Sequence, residues 1–217
     1  MTYRLAAFDF DGTIADSFAW FGAVVNDAAV RYRFKRIEKD GIEMLRGHSA
    51  RDLMRHVGVA RWKMPLIANY MRKRKADDVA RIKLFDGAAK TIEALDAHGV
   101  AVAIVSSNTE SNVRAILGPR LAALVAYYEC GASLFGKARR FRAVLRRSGV
   151  PAAQAIAIGD ELRDLEAARA AGIAFGAVAW GYTSAAALAS AKPDVMFARF
   201  DDIIAALVPQ NSRAAAQ

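Results

Sequence analysis

Residues 5–13 read Leu5-Ala6-Ala7-Phe8-Asp9-Phe10-Asp11-Gly12-Thr13, an apolar run that ends in two acids and a glycine. A short apolar run bounded by Asp-Gly is typical of a buried β-strand that enters a loop. Four later segments have the same character, namely Val100–Val105, Leu124–Tyr128, Ala155–Ile158 and Ile173–Ala179. The chain therefore contains five candidate buried strands.

A helical pattern precedes each of the four later predicted strands. These patterns cover Gly87–His98, Glu110–Leu117, Lys137–Ser148 and Leu162–Ala171. Strands that alternate with helices predict a mostly parallel sheet with helices on both faces. The expected fold class is α/β, a Rossmann-like doubly wound parallel sheet.

The interval 18–84 breaks this alternation. It is rich in helix formers, lacks a convincing strand, and is divided by glycines and by Pro65 into several short helices. We interpret it as an inserted helical cap, so that residues 1–17 and 85–217 form the α/β core and residues 18–84 form the cap. The Ala-rich run Ser184–Ala191 is expected to be a surface helix, and the tail Ser212–Gln217 to be disordered.

Charge is distributed unevenly along the chain. The 217 residues are 54% hydrophobic and 24% charged, with a formal net charge of +9. The interval 18–84 holds 16 Lys/Arg and 7 Asp/Glu, so it carries the whole excess. A basic region of this kind attracts nucleic acid, an anionic membrane surface or small phosphorylated substrates. The run Arg72-Lys73-Arg74-Lys75 fits such a role or, equally, a solvated helix face.

The single cysteine, Cys130, cannot form an internal disulfide, which favours a reducing compartment. We expect it to be a small buried hydrophobe. The first apolar run is too short for a signal peptide, and no stretch approaches the ~20 apolar residues of a membrane span. A cytoplasmic protein without a membrane partner is expected.

Polar side chains follow the predicted strands at their carboxyl ends. They are Asp9, Asp11, Ser106, Ser107, Asn108, Lys137, Asp160 and Asp164. In open parallel sheets, ligands bind where the loops at the carboxyl ends of the strands converge. We therefore expect these acids, hydroxyls and the ammonium group to face one point in space and to form a site.

Each residue type has a chemical reason to be there. Several carboxylates cannot lie together ionised without a cation, and an all-oxygen shell suits Mg²⁺. Asp9 can attack phosphorus, and Asp11, two residues on, can protonate the departing oxygen and then activate water. Lys137 and Ser106 would hold the charged oxygens of the transferring group. The pattern indicates phosphoryl transfer through a covalent aspartyl intermediate.

These residues resemble the motifs of the haloacid dehalogenase-like hydrolase superfamily, within the group of small phosphatases that includes phosphoglycolate phosphatase. The matching stretches extend over nearly the whole chain. They are Phe8–Thr13 with Ala15-Asp16-Ser17, Ile104–Asn108, Gly136-Lys137, and Ile158–Asp164 continuing to Ala170-Ala171-Gly172. The first and last stretches are highly specific, and the order and spacing of all four strengthen the resemblance.

The resemblance implies a role for each matching residue. Asp9 would be the nucleophile and a metal ligand, and Asp11 would be the general acid/base with its backbone carbonyl on the metal. Asp160 would ligate Mg²⁺ directly. Asp164 would orient the site, although an acid in the first turn of a helix is also favoured by the helix dipole alone. The resemblance also implies a helical cap between the first and second motifs.

The remaining candidates surround the phosphate. Ser106 and Lys137 would hold the phosphoryl group, with Ser107 as the alternative to Ser106. Gly12, Thr13 and Asn108 are expected to line the phosphate or substrate, and Asn108 or Thr109 can also cap the following helix. Lys137 is followed by Ala-Arg-Arg-Phe, not by the Pro-containing sequence common among close relatives, which weakens an assignment to phosphoglycolate.

Within the cap, Gly47 interrupts the helical pattern among polar residues. Relatives use a cap loop of this kind to bind the leaving group of the substrate. We therefore expect Arg46, His48 or Arg51 to contact the substrate.

The expected function is Mg²⁺-dependent hydrolysis of a small phosphate monoester, with a small phosphorylated metabolite as the partner. A phosphomutase of the β-phosphoglucomutase type shares the aspartyl-phosphate, and the motifs do not separate the two. Asp11 argues against dehalogenation, because a halide leaves without a proton. A nucleic-acid- or partner-binding module with a vestigial site is disfavoured by intact candidates at every catalytic position. Monomer and dimer both remain open.

Overall fold

The computed structural model describes residues 3–38, 55–131 and 136–208. A six-stranded sheet forms its centre, and all of its strand pairs are parallel. The strands are β1 (Leu5–Phe8), β4 (Ala101–Val105), β5 (Val125–Glu129), β6 (Ala155–Gly159), β7 (Ala174–Val178) and β8 (Val195–Phe197). Their spatial order is β5-β4-β1-β6-β7-β8, so β1 lies inside the sheet between β4 and β6.

Helices cover both faces of this sheet. The described α-helices are α1 (Phe18–Tyr32), α2 (Met64–Asp77), α3 (Ala88–Ala97), α4 (Glu110–Leu124), α5 (Lys137–Ser148), α6 (Leu162–Ala171), α7 (Ala185–Ser190) and α8 (Phe200–Leu207). Apolar residues of α3, α4 and α8 belong to one core cluster, and those of α5, α6 and α7 belong to another. The predicted Rossmann-like α/β fold is confirmed.

Strand β1 shows why the sheet is covered on both sides. Successive side chains of a strand point to opposite faces. Ala6 and Phe8 lie in the first core cluster, whereas Leu5 and Ala7 lie in the second. All four are buried, which explains why the strand is a continuous apolar run rather than an alternating one.

The five predicted strands are found within two residues at each end, and the helices Lys137–Ser148 and Leu162–Ala171 are found with the bounds expected. The predicted end of a third helix coincides with a break in α4. Gly118 has non-helical backbone angles, with φ 74° and ψ 163°, so the first helical part of α4 ends at Leu117, as predicted. A second helical part, which the sequence did not predict, follows from Pro119 to Leu124. The sixth strand, β8, was not predicted.

The described part of the interval 18–84 contains the helices α1 and α2 and a separate apolar cluster. That cluster contains Val25, Ala28, Ile37, Val57, Val59 and Ile67. The expectation that the interval 18–84 lacks a strand is wrong at its end. The two-residue strand β3 (Lys83–Leu84) pairs in antiparallel fashion with β2 (Ala15–Asp16), because the chain leaves and re-enters the core at adjacent points. The domain boundaries themselves remain a prediction.

Some expectations concern residues that are not described. The candidate substrate contacts Arg46, His48 and Arg51 lie outside the described residues, as does the tail Ser212–Gln217. The surface helix predicted in the Ala-rich run is present as α7. None of the helices within residues 3–38, 55–131 and 136–208 combines the length and the apolar character that a membrane crossing requires.

Candidate active site

Asp9 is the first residue after β1 and lies at the carboxyl edge of the sheet. Its backbone N–H donates to the Ile158 carbonyl of β6 at 2.8 Å, which continues the pairing of the two strands by one residue. Its own Oδ1 accepts a hydrogen bond of 2.7 Å from the Phe10 N–H. The side chain is buried. The loop therefore fixes the Asp9 carboxylate in the interior at the end of β1.

Lys137 links the carboxylates that follow two different strands. It is the first residue of α5, and its Nζ lies 2.9 Å from Asp9 Oδ2 and 2.6 Å from Asp164 Oδ1. All three side chains are buried. Burial lowers the pKa of Lys137, but the charges of Asp164 and Asp9 outweigh it, so the pKa is raised overall. The ammonium group therefore stays charged beside the two acids.

Asp164 makes contacts that suit both roles considered for it. Its Oδ1 holds Lys137, while its Oδ2 accepts a 3.3 Å hydrogen bond from the Glu161 N–H at the start of α6. The second contact is one half of a capping box, in which side chains satisfy the free N–H groups of a helix start. The helix-terminal role and the site role are thus compatible in one residue.

Asp160 is fixed by two hydrogen bonds from distant parts of the chain. The Thr13 hydroxyl donates to its Oδ1 at 2.7 Å, and the Tyr182 N–H donates to its Oδ2 at 2.7 Å. Glycines lie next to the Asp160 carboxylate because a larger side chain at their positions would collide with it. A Cβ added at Gly12 or at Gly181 would meet the Asp160 side chain. These contacts leave the Asp160 side chain little freedom to move.

Three of these acids form a group that could hold a divalent metal ion. One oxygen from each of Asp9, Asp160 and Asp164 lies within 4.8 Å of the others. Burial raises the pKa of Asp9 to about 6, against the opposing charge of Lys137. Burial, followed by the charges of Glu161 and Asp9, raises the pKa of Asp160 well above its usual value. A bound dication would offset this repulsion, and oxygen ligands suit Mg²⁺ or another hard cation.

Asp11 lies in a second group of contacts. Its Oδ1 accepts hydrogen bonds from Ser17 Oγ at 2.9 Å and Lys75 Nζ at 2.5 Å, and its Oδ2 accepts a long one of 3.4 Å from Asn108 Nδ2. The carboxylate is partly exposed. Tyr182 connects this group to Asp160. Its hydroxyl lies 2.8 Å from Ser17 Oγ, and its backbone N–H donates to Asp160.

The loop after β4 contains the candidate hydroxyls. Ser106 is buried, and its Oγ accepts a 3.1 Å hydrogen bond from the Asn108 N–H. Ser107 is half-buried, and its side chain makes no hydrogen bond to the described residues, while its carbonyl accepts one of 3.1 Å from Arg72 Nε. The choice between the two hydroxyls therefore remains open. Thr109, rather than Asn108, is the N-cap of α4.

Two further predicted residues have partners of their own. The Gly12 N–H donates to the Ala15 carbonyl at 2.9 Å, and the Thr13 hydroxyl is used by Asp160. Their expected contact with phosphate stays a prediction.

Cys130 is half-buried against the core, and burial raises the pKa of its thiol to about 12. The expected full burial of Cys130 is therefore wrong, since its side chain is only partly buried, and its thiol is neutral near pH 7.

Three residues of the site were not predicted from the sequence. Ser17 donates a hydrogen bond to Asp11, Lys75 forms an ion pair with Asp11, and the Tyr182 N–H donates to Asp160. Ser17 belongs to a stretch that was noticed, and Lys75 to the basic run, but neither was assigned to the site. Nothing in the local sequence distinguishes Tyr182. It reaches the site because the loop after β7 passes beside the loop after β6.

The model of the family described as haloacid dehalogenase-like hydrolase matches residues 6–178, which include all of β1 except Leu5 and all the acids described above. The chain belongs to the haloacid dehalogenase-like hydrolase family. The resemblance to this family is thereby confirmed, and the protein is an enzyme of the hydrolase class.

Individual members of this family resemble the chain over almost its full length. A phosphoglycolate phosphatase of Synechococcus elongatus is 30% identical over 92% of this chain and 95% of its own. A phosphoglycolate phosphatase of Pseudomonas fluorescens is 25% identical over 95% of this chain and 79% of its own. The fold is shared with a haloacid dehalogenase-like family hydrolase from Streptococcus pneumoniae, with a TM-score of 0.78, 19% identity, and coverage of 94% and 98% of the two chains.

Proposed function

We propose that this haloacid dehalogenase-like hydrolase is a Mg²⁺-dependent phosphatase that cleaves a small phosphate monoester through an aspartyl-phosphate on Asp9. One observation carries the proposal. The buried Asp9 carboxylate lies within 4.8 Å of oxygens of Asp160 and Asp164, and Lys137 Nζ lies 2.9 Å from its Oδ2. A carboxylate among other acids and one ammonium group suits an anionic, metal-bound electrophile better than a neutral one.

In the first half of the proposed reaction, a carboxylate oxygen of Asp9 attacks the phosphorus atom. The bond between phosphorus and the ester oxygen breaks, and Asp11 gives its proton to that oxygen, so that an alcohol leaves. Lys137, held by Asp164, stabilises the negative charge on the phosphoryl oxygens.

In the second half, water attacks the phosphorus atom of the aspartyl-phosphate. Asp11, now ionised, accepts a proton from the water, the bond between phosphorus and the Asp9 oxygen breaks, and inorganic phosphate leaves. Both carboxyl groups return to their starting states. Mg²⁺ held by Asp9, Asp160 and the Asp11 carbonyl would supply positive charge against the phosphate oxygens.

The substrate we propose to test first is 2-phosphoglycolate, because the curated relatives similar over most of this chain are named phosphoglycolate phosphatases. Because the sequence after Lys137 differs from that common among close relatives, other small phosphorylated metabolites should be tested as well. We also propose a cytoplasmic location, which the single, neutral Cys130 supports.

The test is phosphate release from a panel of phosphorylated metabolites, with Mg²⁺ and with a chelator. Asp9→Asn should remove activity by at least about 10⁴-fold, since the amide of Asn is a poor nucleophile toward phosphorus. Asp96→Asn, the same change at an exposed position at the end of α3, is the matched control and should keep full activity. Rapid quenching with ³²P-labelled substrate should trap label on the wild-type chain and none on Asp9→Asn.

Two results would refute the proposal. One is an Asp9→Asn variant that keeps wild-type turnover, and the other is activity that survives removal of all divalent metal. Conversion of a sugar phosphate into its isomer without release of phosphate would instead identify a mutase.

A further inference from the structure

A fourth acid adjoins the candidate metal group without belonging to it. Glu161 is buried and directly follows Asp160, and its backbone N–H donates to Asp164 Oδ2 at 3.3 Å. After burial itself, the charge of Glu161 is the largest cause of the raised pKa of Asp160. Among the described residues, the carboxylates within 4.8 Å of one another are nevertheless those of Asp9, Asp160 and Asp164 alone. A further interaction must therefore hold the Glu161 carboxylate outside this group.

Arg163 supplies that interaction. Its Nη2 lies 2.6 Å from Glu161 Oε1, and its side chain is 25% exposed. Arg163 belongs to the first turn of α6, where the helix dipole disfavours a cation. Its Nε is buried and has no hydrogen-bond partner in the part of the chain that the structure describes. Both features cost free energy, so the arginine occupies this position for its charge rather than for its fit to the helix.

The charge of Arg163 acts on the acids of the candidate site. Burial lowers the pKa of its guanidinium, but the charges of Glu161, Asp164 and Asp9 outweigh burial, so the pKa is raised overall. The arginine is therefore charged whenever these acids are ionised. It is also oriented, because its ion pair is formed with Glu161 and leaves Asp9 and Asp164 to Lys137.

The number of carboxylates around a metal ion affects which ion is preferred. Ca²⁺ takes about six to eight oxygen ligands in a flexible geometry, whereas Mg²⁺ requires a near-ideal octahedron and usually keeps several waters. A small group of acids suits Mg²⁺. An additional carboxylate with a mobile side chain would favour Ca²⁺ more than Mg²⁺, because Ca²⁺ can accept it without losing its geometry.

We propose that Arg163 is a positioning residue that holds Glu161 away from the candidate metal group and thereby raises the preference of this group for Mg²⁺ over Ca²⁺. The inference rests on the proposed function, which requires Mg²⁺ at these acids. It adds to that function a residue that sets the choice of metal through Glu161, without contacting the metal or the substrate. An ion is thus selected partly by withholding a ligand from its competitor.

The test measures the affinities for Mg²⁺ and for Ca²⁺ separately by calorimetry, in the absence of substrate. In Arg163→Met, Glu161 loses its partner and the acids lose a nearby positive charge. We expect both ions to bind more tightly and Ca²⁺ to gain more, so that the ratio of Ca²⁺ to Mg²⁺ affinity rises at least about 5-fold. An arginine with a merely structural role would have the opposite effect, since a loosened site binds both ions more weakly.

Further variants make the result specific. Glu161→Gln combined with Arg163→Met removes the released carboxylate and should return the ratio to within about 2-fold of the wild-type value. Arg163→Lys keeps the charge and should keep most of the preference. Arg163→Gln replaces Arg163→Met if the latter does not fold, as judged by its circular dichroism spectrum.

Arg169→Met is the matched control on the same helix. The Arg169 Nη2 donates to the carbonyls of Ala191 and Lys192, at 3.0 Å and 2.7 Å, and not to an acid. Its removal deletes an arginine of α6 together with two hydrogen bonds and leaves Glu161 paired. The ratio of the two affinities should therefore stay at the wild-type value.

The outcomes separate this inference from the proposed function. If the ratio is unchanged in Arg163→Met, or if its rise persists after Glu161→Gln is added, the inference is wrong while the phosphatase function stands. If the wild type binds neither ion and releases phosphate from its substrate without added metal, the inference and the proposed Mg²⁺ dependence are both wrong.

Discussion

The ammonium nitrogen of Lys137 lies closer to Asp164, at 2.6 Å, than to Asp9, at 2.9 Å. The acid that is not the candidate nucleophile thus holds the lysine more tightly. Because Asp164 is itself fixed by the start of α6, the lysine is positioned independently of Asp9. In the proposed reaction, Asp9 would then form and lose a bond to phosphorus without displacing the charge that faces it.

Replacing Lys137 by Met should destabilise the metal-free protein by about 3–5 kcal/mol, because two buried carboxylates lose their counter-charge. Added Mg²⁺ should recover part of this loss, since it supplies positive charge to the same acids. The measurement is urea unfolding with and without Mg²⁺. Lys90→Met is the matched control: Lys90 pairs with Asp201 at 2.9 Å on the surface, where solvent screens the charges, so its loss should change the free energy of unfolding far less. Equal losses for the two variants would contradict the buried ion pair.

The free energy of unfolding of the metal-free protein should depend on Asp9 between about pH 4 and pH 6. Burial raises the folded-state pKa of Asp9 from 3.8 to about 6. A raised carboxyl pKa contributes stability that is fully present below the unfolded value and is lost as the pH rises through the folded one. The difference in unfolding free energy between wild type and Asp9→Asn should therefore fall with rising pH, by on the order of 2–3 kcal/mol.

Asp201→Asn provides a control of opposite sign for this pH dependence. Its hydrogen bond and ion pair with Lys90 lower the pKa of Asp201, so the contribution of Asp201 to stability is lost as the pH falls.

By the same reasoning, Mg²⁺ should bind more tightly as the pH rises through about 6, because Asp9 must lose its proton. A pH-independent difference between wild type and Asp9→Asn would be inconsistent with the buried carboxyl described here.

Tyr182→Phe should affect substrates according to their leaving groups. The change removes the 2.8 Å hydrogen bond to Ser17, which holds Asp11, and keeps the ring against Phe18 and Phe21. We expect kcat/KM to fall about 10-fold for an alkyl phosphate, whose leaving oxygen needs the proton of Asp11. For 2,4-dinitrophenyl phosphate, which leaves without a proton, kcat/KM should change by less than about 2-fold.

Tyr128→Phe is the matched control for Tyr182→Phe. It also deletes a hydroxyl that makes a 2.8 Å hydrogen bond, here to the Ala122 carbonyl far from the acids. Both variants should lose about 1 kcal/mol of stability, and Tyr182→Phe alone should alter the ratio of the two substrates. If both substrates slow equally in Tyr182→Phe, the tyrosine does not act through Asp11.

Gly12→Ala should weaken Mg²⁺ binding by about 10–100-fold, because the added Cβ displaces a carboxylate expected to be a ligand. Gly12 has a φ of +82°, and the new Cβ would meet the Asp160 side chain, with its Cγ at 2.9 Å. Gly149→Ala is the control, since it has a φ of +67° and meets nothing within 4 Å. It carries similar backbone strain and should leave Mg²⁺ affinity, measured by calorimetry, unchanged.

The sequence predicted the parts of the structure that depend on local patterns. Buried strands such as β1 are continuous apolar runs that end at Asp or Gly, and the rule that ligands bind at the carboxyl ends of parallel strands brings Asp9, Asp160 and Lys137 together. These residues are indeed neighbours. No knowledge of side-chain packing was needed for that prediction.

Other parts depend on tertiary contacts that no local pattern encodes. Strand β8 has three residues and becomes a strand only by pairing with β7. Lys75 is one of four consecutive basic residues, and the rotation of α2 decides which of them reaches Asp11. Tyr182 is 165 residues away from Ser17, and its contact depends on the complete sheet.

The pairing of β2 with β3 constrains how the site can open. Ala15 pairs with Leu84 and Asp16 with Lys83, so the outgoing and returning segments of the chain lie side by side as one short hinge. We expect rotation about this hinge to be easier than sliding of one segment past the other, because sliding breaks the pairing. Since Arg72 and Lys75 both belong to α2, such a rotation would withdraw them from Ser107 and Asp11 in the same movement. Entry of substrate and exposure of the proton donor would then be one event.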